Sequence, residues 1–290
     1  MAAPPTQPVF RFAPSPNGHL HLGHAYSALK NFELARRSNG RFLLRIEDVD
    51  LTRARPAYET AIYEDLAWVG LQWDMPVWRQ SEHFGDYELA LDALRAQGCL
   101  YPCFCSRGDI ARAIAGRPDW PRDPDGEPLY PRTCKQLSPA EVRQRLAAGR
   151  YASRRLDMDV ALGLCGVRLG WEEYGEGNEA REVRAEPSSW GDAVLARKDV
   201  PASYTIAVVV DDARQGVTDV VRGRDLFAAT SLHRLLQTLL GYPAPRYRHH
   251  ALVRDEAGEK LSKSTAAEGL RALREAGVKP DEIRWRLGFR

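Results

Sequence analysis

Short apolar runs alternate with longer stretches of helical periodicity along the first hundred or so residues. Val9 to Phe12 is a compact apolar run of strand length. It meets Pro14, Pro16 and Gly18, which force a loop. Tyr26, Leu29 and Phe32 then recur at helical spacing up to Asn39-Gly40, a helix-ending pair. Phe42 to Ile46 is a second apolar run, so strand, loop, helix and strand make a parallel βαβ unit. Further helices are predicted from Arg55 to Val69, closed by Gly70, and from about Glu82 to Gln97, closed by Gly98.

The texture changes between Cys99 and Asp199. Cysteines cluster there, Gly116 to Pro131 is rich in Pro, Gly and Asp, and Gly170 to Gly191 is irregular. The span reads as an insertion. Beyond it, Thr205 to Val210 is a β-branched run of the kind strands favour, and Val217 to Val221 is another. Leu226 to Leu240 is helical up to Gly241, and Thr265 to Arg290 holds two helices around Pro280. No internal repeat or low-complexity tract interrupts this pattern.

Composition narrows the classes. With 290 residues and 44% hydrophobic residues, the chain can bury one large core or two modest ones. A formal net charge of +2 gives no strong electrostatic case for nucleic acid. Six lysines stand among 41 basic residues, so arginine dominates. Arginine suits carboxylate and phosphate recognition, although a genome-wide codon bias accounts for most of such an excess. No run of about 18 apolar residues is present, so no membrane span is predicted. Met1 to Pro8 lacks the basic start and apolar core of a signal peptide. The odd, unevenly spaced cysteines (Cys99, Cys103, Cys105, Cys134, Cys165) do not form a secreted disulfide framework, and a reduced, cytoplasmic protein is expected.

Two motifs carry the chemistry. The first is Arg11-Phe12-Ala13-Pro14-Ser15-Pro16-Asn17-Gly18-His19-Leu20-His21-Leu22-Gly23-His24, where two histidines flank Leu-Gly at the start of a helix. A helix N-terminus offers unpaired N–H groups and positive partial charge, which attract phosphate. Gly23 lets a nucleotide approach the backbone closely, and His21 and His24 can donate to phosphate oxygens. The second is Lys260-Leu261-Ser262-Lys263-Ser264, after a turn at Asp255 to Gly258. A loop with two lysines can close on a polyphosphate and neutralise departing pyrophosphate. Either motif alone is weak; a lone His-x-x-His is more often a surface or metal pair, and a Lys/Ser run is usually a solvated loop. Their combination, order and separation make the signal specific.

With these motifs the sequence resembles the class I aminoacyl-tRNA synthetases, whose signatures are HIGH and KMSKS. The match is to the glutamyl branch, through Arg11 to Pro16, Leu44-Arg45-Ile46-Glu47-Asp48, Val208 to Asp212 and Gln215 to Gly223. The resemblance runs from about Val9 to Ser264. It implies a class I synthetase Rossmann-type parallel sheet: a first half in 1–98, an inserted zinc-bearing subdomain in 99–199, a second half in 200–250, and the lysine loop with short C-terminal helices in 251–290. It implies ATP held by Pro14, Gly18, His21, Gly23, His24 and Lys263, with catalytic roles for His21, His24, Lys260 and Lys263. It implies glutamate held by Arg11, Ala13, Ser15, Glu47, Tyr204 and Arg222. Chemistry agrees: an α-ammonium needs a carboxylate such as Glu47, and a side-chain carboxylate needs a planar donor fork, for which Arg222 and Arg11 are the candidates. Mg²⁺ is expected with ATP. Three departures stand out: Asn17 where the branch usually has Thr or Ser, Ala213 where it often has His, and Ser231-Leu232-His233 where Arg-Gln is usual. The stretch Gly170 to Ser188 matches nothing assignable.

The cysteines form a second constellation. Cys103-Phe104-Cys105 is too tight for an easy disulfide and suits a metal. By spacing alone, Cys99, Cys103, Cys105 and Cys134 would make a four-cysteine zinc site. The queuosine-directed, glutamyl-Q branch of the family carries Cys-x-Cys and then Tyr-x-x-x-Cys. That resemblance implies Cys103, Cys105, Tyr130 and Cys134 around one structural Zn²⁺. Only 26 residues follow Ser264, too few for an anticodon-binding domain to fold. The implied reaction is activation of glutamate without tRNA, then its transfer to the queuosine base at the wobble position of tRNA(Asp), by a monomer. Alternatives are a truncated glutamyl-tRNA synthetase charging a tRNA 3′ end, a small-molecule ligase, and a catalytically silent RNA-binding paralogue; the intact phosphate-binding motifs argue against the last.

Overall fold

The structure is a computed structural model that describes residues 7–166, 168–175, 179–253 and 269–289. The fully buried strand β1 (Val9–Phe12) leads through a proline loop into helix α1 (Leu22–Arg37) and back to β2 (Arg41–Ile46), parallel to β1 in the register Val9 to Arg41. This is the βαβ unit expected from the sequence. Helix α2 (Pro56–Trp68) starts on a proline, whose missing N–H costs nothing at that position, and buries Ile62 and Leu66. Each of these side chains contributes about 1.5–3 kcal/mol by leaving water. Strand β3 (Asp74–Arg79) and helix α3 (Phe84–Ala96) complete the first half.

Next come β4 (Leu100–Cys103), α4 (Arg107–Ala113), α5 (Pro139–Ala147), β5 (Ser153–Leu156) and α6 (Met158–Cys165). They are followed by a hairpin, β6 (Gly170–Tyr174) and β7 (Ala180–Arg184), and by β8 (Val194–Ala196). Helix α7 (Tyr204–Arg214), β9 (Asp219–Gly223), α8 (Ala229–Leu239), β10 (Arg246–His250), α9 (Leu270–Glu275) and α10 (Pro280–Arg286) close the chain.

Two sheets result. The larger has the order β3-β2-β1-β9-β10-β6-β7, parallel throughout except for the final β6–β7 pair. The smaller is β4-β5-β8, antiparallel. Strand order reverses between β1 and β9, and in open α/β sheets that crevice is where ligands bind. Buried Asn31 of α1 donates to the Val221 carbonyl at 3.0 Å, fastening the helix across the crevice to β9.

Two expectations are corrected. Thr205 to Val210 is helix, not strand: Ser203 caps it, and Ile206 to Asp212 are all buried, so packing on both sides overrides the β propensity of three valines. The span 99–199 is not one insertion, because Gly170 to Arg184 returns to the main sheet, where Tyr247 of β10 pairs with Glu173 of β6. Trp171 anchors that return, buried against Phe227 and Tyr247. No helix among the described residues is long and apolar enough to cross a membrane.

Candidate active site

A cavity of about 530 Å³ opens at the crevice between β1 and β9. Arg11, Ala13, Ser15, Glu47, Tyr204 and Arg222 all line it, together with His21, Gly23 and His24. All six residues expected around glutamate are thus brought together, though they span more than 200 positions of sequence. Of the residues expected around ATP, Pro14 and Gly18 stay in the loop outside the lining; the Pro14 carbonyl accepts from the Glu47 N–H at 3.0 Å and so ties the loop to the end of β2. Lys260 and Lys263 lie outside the described residues.

The histidines build the mouth of the helix. His21 is the N-cap of α1: its Nδ1 accepts from the Gly23 N–H at 3.1 Å, and His24 Nδ1 accepts from the His21 N–H at 3.2 Å. With both Nδ1 atoms accepting, each neutral ring carries its proton on Nε2, where it is a donor. Gly23 has a local reason beyond nucleotide access, since a Cβ there would meet the His21 ring at 3.0 Å.

Behind Glu47 lies a dry ion cluster. Fully buried Arg45 reaches Asp212 at 2.8 Å, Glu47 at 3.5 Å and Asp211 at 3.8 Å. Arg11 grips Asp212 at two points, 3.0 and 3.4 Å. Trp78, Gln80 and Tyr87 donate to Asp211 at 3.0, 2.7 and 2.9 Å. Burial would raise Asp212, but Arg11 and Arg45 hold it down at about 2. For Glu47 burial wins over the same two arginines and pushes its carboxyl up to about 7.

Arg222 is built differently. Its Nε donates to His249 Nε2 at 3.1 Å, Nη1 meets His233 Nδ1 at 3.3 Å, and Nη2 donates to the Leu226 carbonyl at 3.1 Å and to Thr230 Oγ1 at 2.7 Å. Four of the guanidinium's five N–H groups are thereby held by neutral acceptors. Burial, and then the adjacent Arg222 charge, hold His233 well below its ordinary range. His249 is also lowered, burial outweighing its bond to Glu173. Arg222 is 5% exposed, and among the described residues it makes no ion pair with a carboxylate. His233, His249 and Thr230 were not singled out for this from the sequence. The usable signal was the departure at Ser231-Leu232-His233, together with two adjacent histidines at the end of β10.

The cysteine cluster sits on the smaller sheet. Cys103 ends β4, Cys105 follows it, and Cys134 lies in a short turn after Tyr130; the three sulfurs are all within 4.8 Å of one another. Cys105 Sγ is 3.5 Å from Cys134 Sγ and 3.3 Å from the Tyr130 hydroxyl. A tetrahedral zinc with sulfurs at about 2.3 Å would set them about 3.8 Å apart, so the donor set fits with little movement. Burial pushes the Cys105 thiol up to about 11, a cost that a bound cation would reverse. Cys99 belongs to the main core, beside Leu91 and Leu156, and not to this cluster.

A mostly parallel sheet with reversed strand order, a helix mouth of two histidines at the reversal and a buried cation beside it form the crevice in which open α/β sheets bind ligands. The chain belongs to the class I tRNA synthetases (E and Q type), whose catalytic-domain model matches residues 8–284, and it is a ligase of that family. It is 44% identical over 285 residues to a glutamyl-Q tRNA(Asp) synthetase of Rhodobacter capsulatus, covering 97% of this chain and 100% of the other. It is 39% identical to one of Symbiobacterium thermophilum, with 96% and 85% covered. A crystal structure of a glutamate–tRNA synthetase from Elizabethkingia anophelis superposes with a TM-score of 0.73 at 26% identity; the match covers 93% of this chain and 54% of that one, about half its length.

Proposed function

We propose that the chain activates glutamate with ATP as glutamyl-adenylate, without tRNA, and then transfers glutamate to the queuosine base at the wobble position of tRNA(Asp). The observation that carries the choice of amino acid is Arg222. A buried guanidinium held by neutral acceptors, at the wall of a cavity, is an unneutralised receptor for a carboxylate. Arg11, the other candidate, is already neutralised by Asp212. Glu47, ionised, faces the α-ammonium. Ser15, Ala13 and Tyr204 complete the wall.

In this reading a glutamate α-carboxylate oxygen attacks the α-phosphorus of ATP, forming the acyl–phosphate bond as the bond to pyrophosphate breaks. The N-terminus of α1 and the Nε2 donors of His21 and His24 stabilise charge on the phosphates. Lys260 and Lys263 are assigned to the departing pyrophosphate on their family resemblance. Mg²⁺ carried in with ATP supplies further neutralisation of the polyphosphate. The queuosine ring then attacks the acyl carbon, and AMP leaves. Cys103, Cys105, Tyr130 and Cys134 would hold one structural zinc, since all four positions come from protein. The full-length match to glutamyl-Q tRNA(Asp) synthetases supports the choice of acceptor.

The test is ATP–pyrophosphate exchange with glutamate, with and without tRNA, followed by transfer to tRNA(Asp). Exchange is expected without tRNA. Transfer is expected to fail on tRNA lacking queuosine and to survive periodate oxidation of the 3′ end once the queuosine diol is protected. Transfer to queuosine-free tRNA, or dependence on the 3′ diol, would favour a glutamyl-tRNA synthetase acting on a tRNA 3′ end.

A further inference from the structure

Glu173 lies in the hairpin that sequence reading could not assign. It is 4% exposed, on β6, next to β10 in the sheet. Its Oε1 accepts from the His249 backbone N–H at 2.8 Å, and its Oε2 meets His249 Nδ1 at 2.8 Å and accepts from Trp171 Nε1 at 3.0 Å. Burial alone would raise the Glu173 carboxyl, but these bonds hold it below its ordinary value. Among the described residues the His249 ring is the only basic side chain within 4.0 Å of its carboxylate.

We infer that Glu173 is a positioning residue for the amino-acid site: it fixes the His249 ring with the proton on Nδ1, so that bare Nε2 orients the Arg222 guanidinium. The geometry forces the direction of each bond. A carboxylate accepts and does not donate, so His249 Nδ1 carries the proton. Nε2 is then an acceptor, as the Arg222 Nε–H at 3.1 Å requires. The opposite tautomer would put two N–H groups against each other. The arrangement also places a counter-charge one imidazole away from Arg222. The cation is compensated at a distance while no protein carboxylate takes the substrate's place beside it.

An amide cannot replace this carboxylate. Three N–H donors converge on its two oxygens, so a glutamine amide must oppose at least one of them. If its NH₂ faces Nδ1, the ring proton is driven to Nε2 and against Arg222. In His249→Gln the amide oxygen can stand near the position of Nε2, whereas His249→Leu leaves Arg222 Nε without an acceptor.

The inference rests on the reading of Arg222 as the carboxylate receptor, so two independent readouts are needed. The first is the histidine ring ¹⁵N spectrum of the intact protein, which reports the tautomer whatever the substrate. His249 is expected neutral with Nδ1 protonated, and mixed or reversed in Glu173→Gln. The second is pyrophosphate exchange. Glu173→Gln is expected to raise KM for glutamate about 10–100-fold, the usual effect of losing a partner that orients a ligating group. Its kcat and its KM for ATP should stay within about twofold. His249→Gln should retain more glutamate affinity than His249→Leu. A wild-type His249 protonated at Nε2, or an unchanged glutamate KM in folded Glu173→Gln, would overturn the inference. Absence of glutamate-dependent exchange in the wild type would instead remove the functional reading, and the tautomer would then decide the positioning claim alone.

Discussion

Arg45 lies behind Glu47 and Arg222 lines the cavity, and both are buried, yet they are treated in opposite ways. Arg45 meets three carboxylates, and Asp212 in turn binds Arg11, so the arginines and aspartates of that group answer one another within the protein. Arg222 meets two neutral imidazoles, a hydroxyl and a carbonyl. Burying an ion is costly in either case. On the proposed reading, the closed cluster holds strands and helix together, while Arg222 is left to meet an anion from outside.

The contrast can be broken at its strongest point by Arg45→Met. This change leaves Asp211 a buried carboxylate without its arginine and Asp212 with Arg11 alone, and a loss of about 3–5 kcal/mol in unfolding free energy is expected in denaturant titration. A stable variant would mean that the cluster is not closed in the sense argued. Arg222→Ala should do the reverse, with a modest loss of stability but a fall of about 10²–10³ in kcat/KM for glutamate and lost discrimination against glutamine, read by pyrophosphate exchange. Unchanged kcat/KM would remove Arg222 as the specificity residue.

The cysteine cluster sharpens the comparison by offering a third case, in which clustered thiols would give up their protons to a cation. Elemental analysis is expected to find one zinc per chain, and Cys134→Ser to lose it. Faster amide exchange should follow around 100–156, with adenylation largely retained. Retention of zinc in that variant would refute the ligand set.

The smallest effect concerns Glu47. Its carboxyl is raised to about 7, and it must be ionised to face an ammonium, so kcat/KM for glutamate should fall about tenfold per pH unit below 7 and level off above it. The stability contribution runs oppositely. A folded value above the unfolded one favours the protonated native state, so that contribution is full below about 4.5 and lost as pH rises through 7. A flat profile between pH 5.5 and 8 would exclude Glu47 as the ammonium partner.

The parallel βαβ unit was legible because it rests on local signals: apolar runs, proline and glycine punctuation, and a motif whose spacing is set by a helix mouth; the lining of the cavity, gathered from Arg11 to Arg222, was legible only through the family resemblance. That Tyr130 and not Cys99 lies beside Cys105 and Cys134 was expected only through resemblance, since spacing favoured the cysteine; Cys99 precedes β4 and belongs to the main core. Helix α7 misled because its valines suit a strand, and only the elements packed around it decide otherwise. The partners of Arg222 were not legible, because Thr230 and His233 of α8, His249 of β10 and the Leu226 carbonyl of the turn after β9 converge on it. Nothing in a linear sequence announces that three separate elements will surround one guanidinium.

The β6–β7 hairpin has a further consequence for how the molecule behaves in a crowded solution. Without it, β10 would end the sheet with a bare row of N–H and C=O groups, which can template pairing with another chain. With it, the edge is β7, a short strand bearing Arg181, Glu182 and Arg184, largely exposed. At the opposite edge β3 carries Pro76, which cannot donate to an incoming strand. Both margins of a seven-stranded sheet are thus guarded, one by charge and one by a missing donor, and edge-to-edge aggregation is discouraged at each.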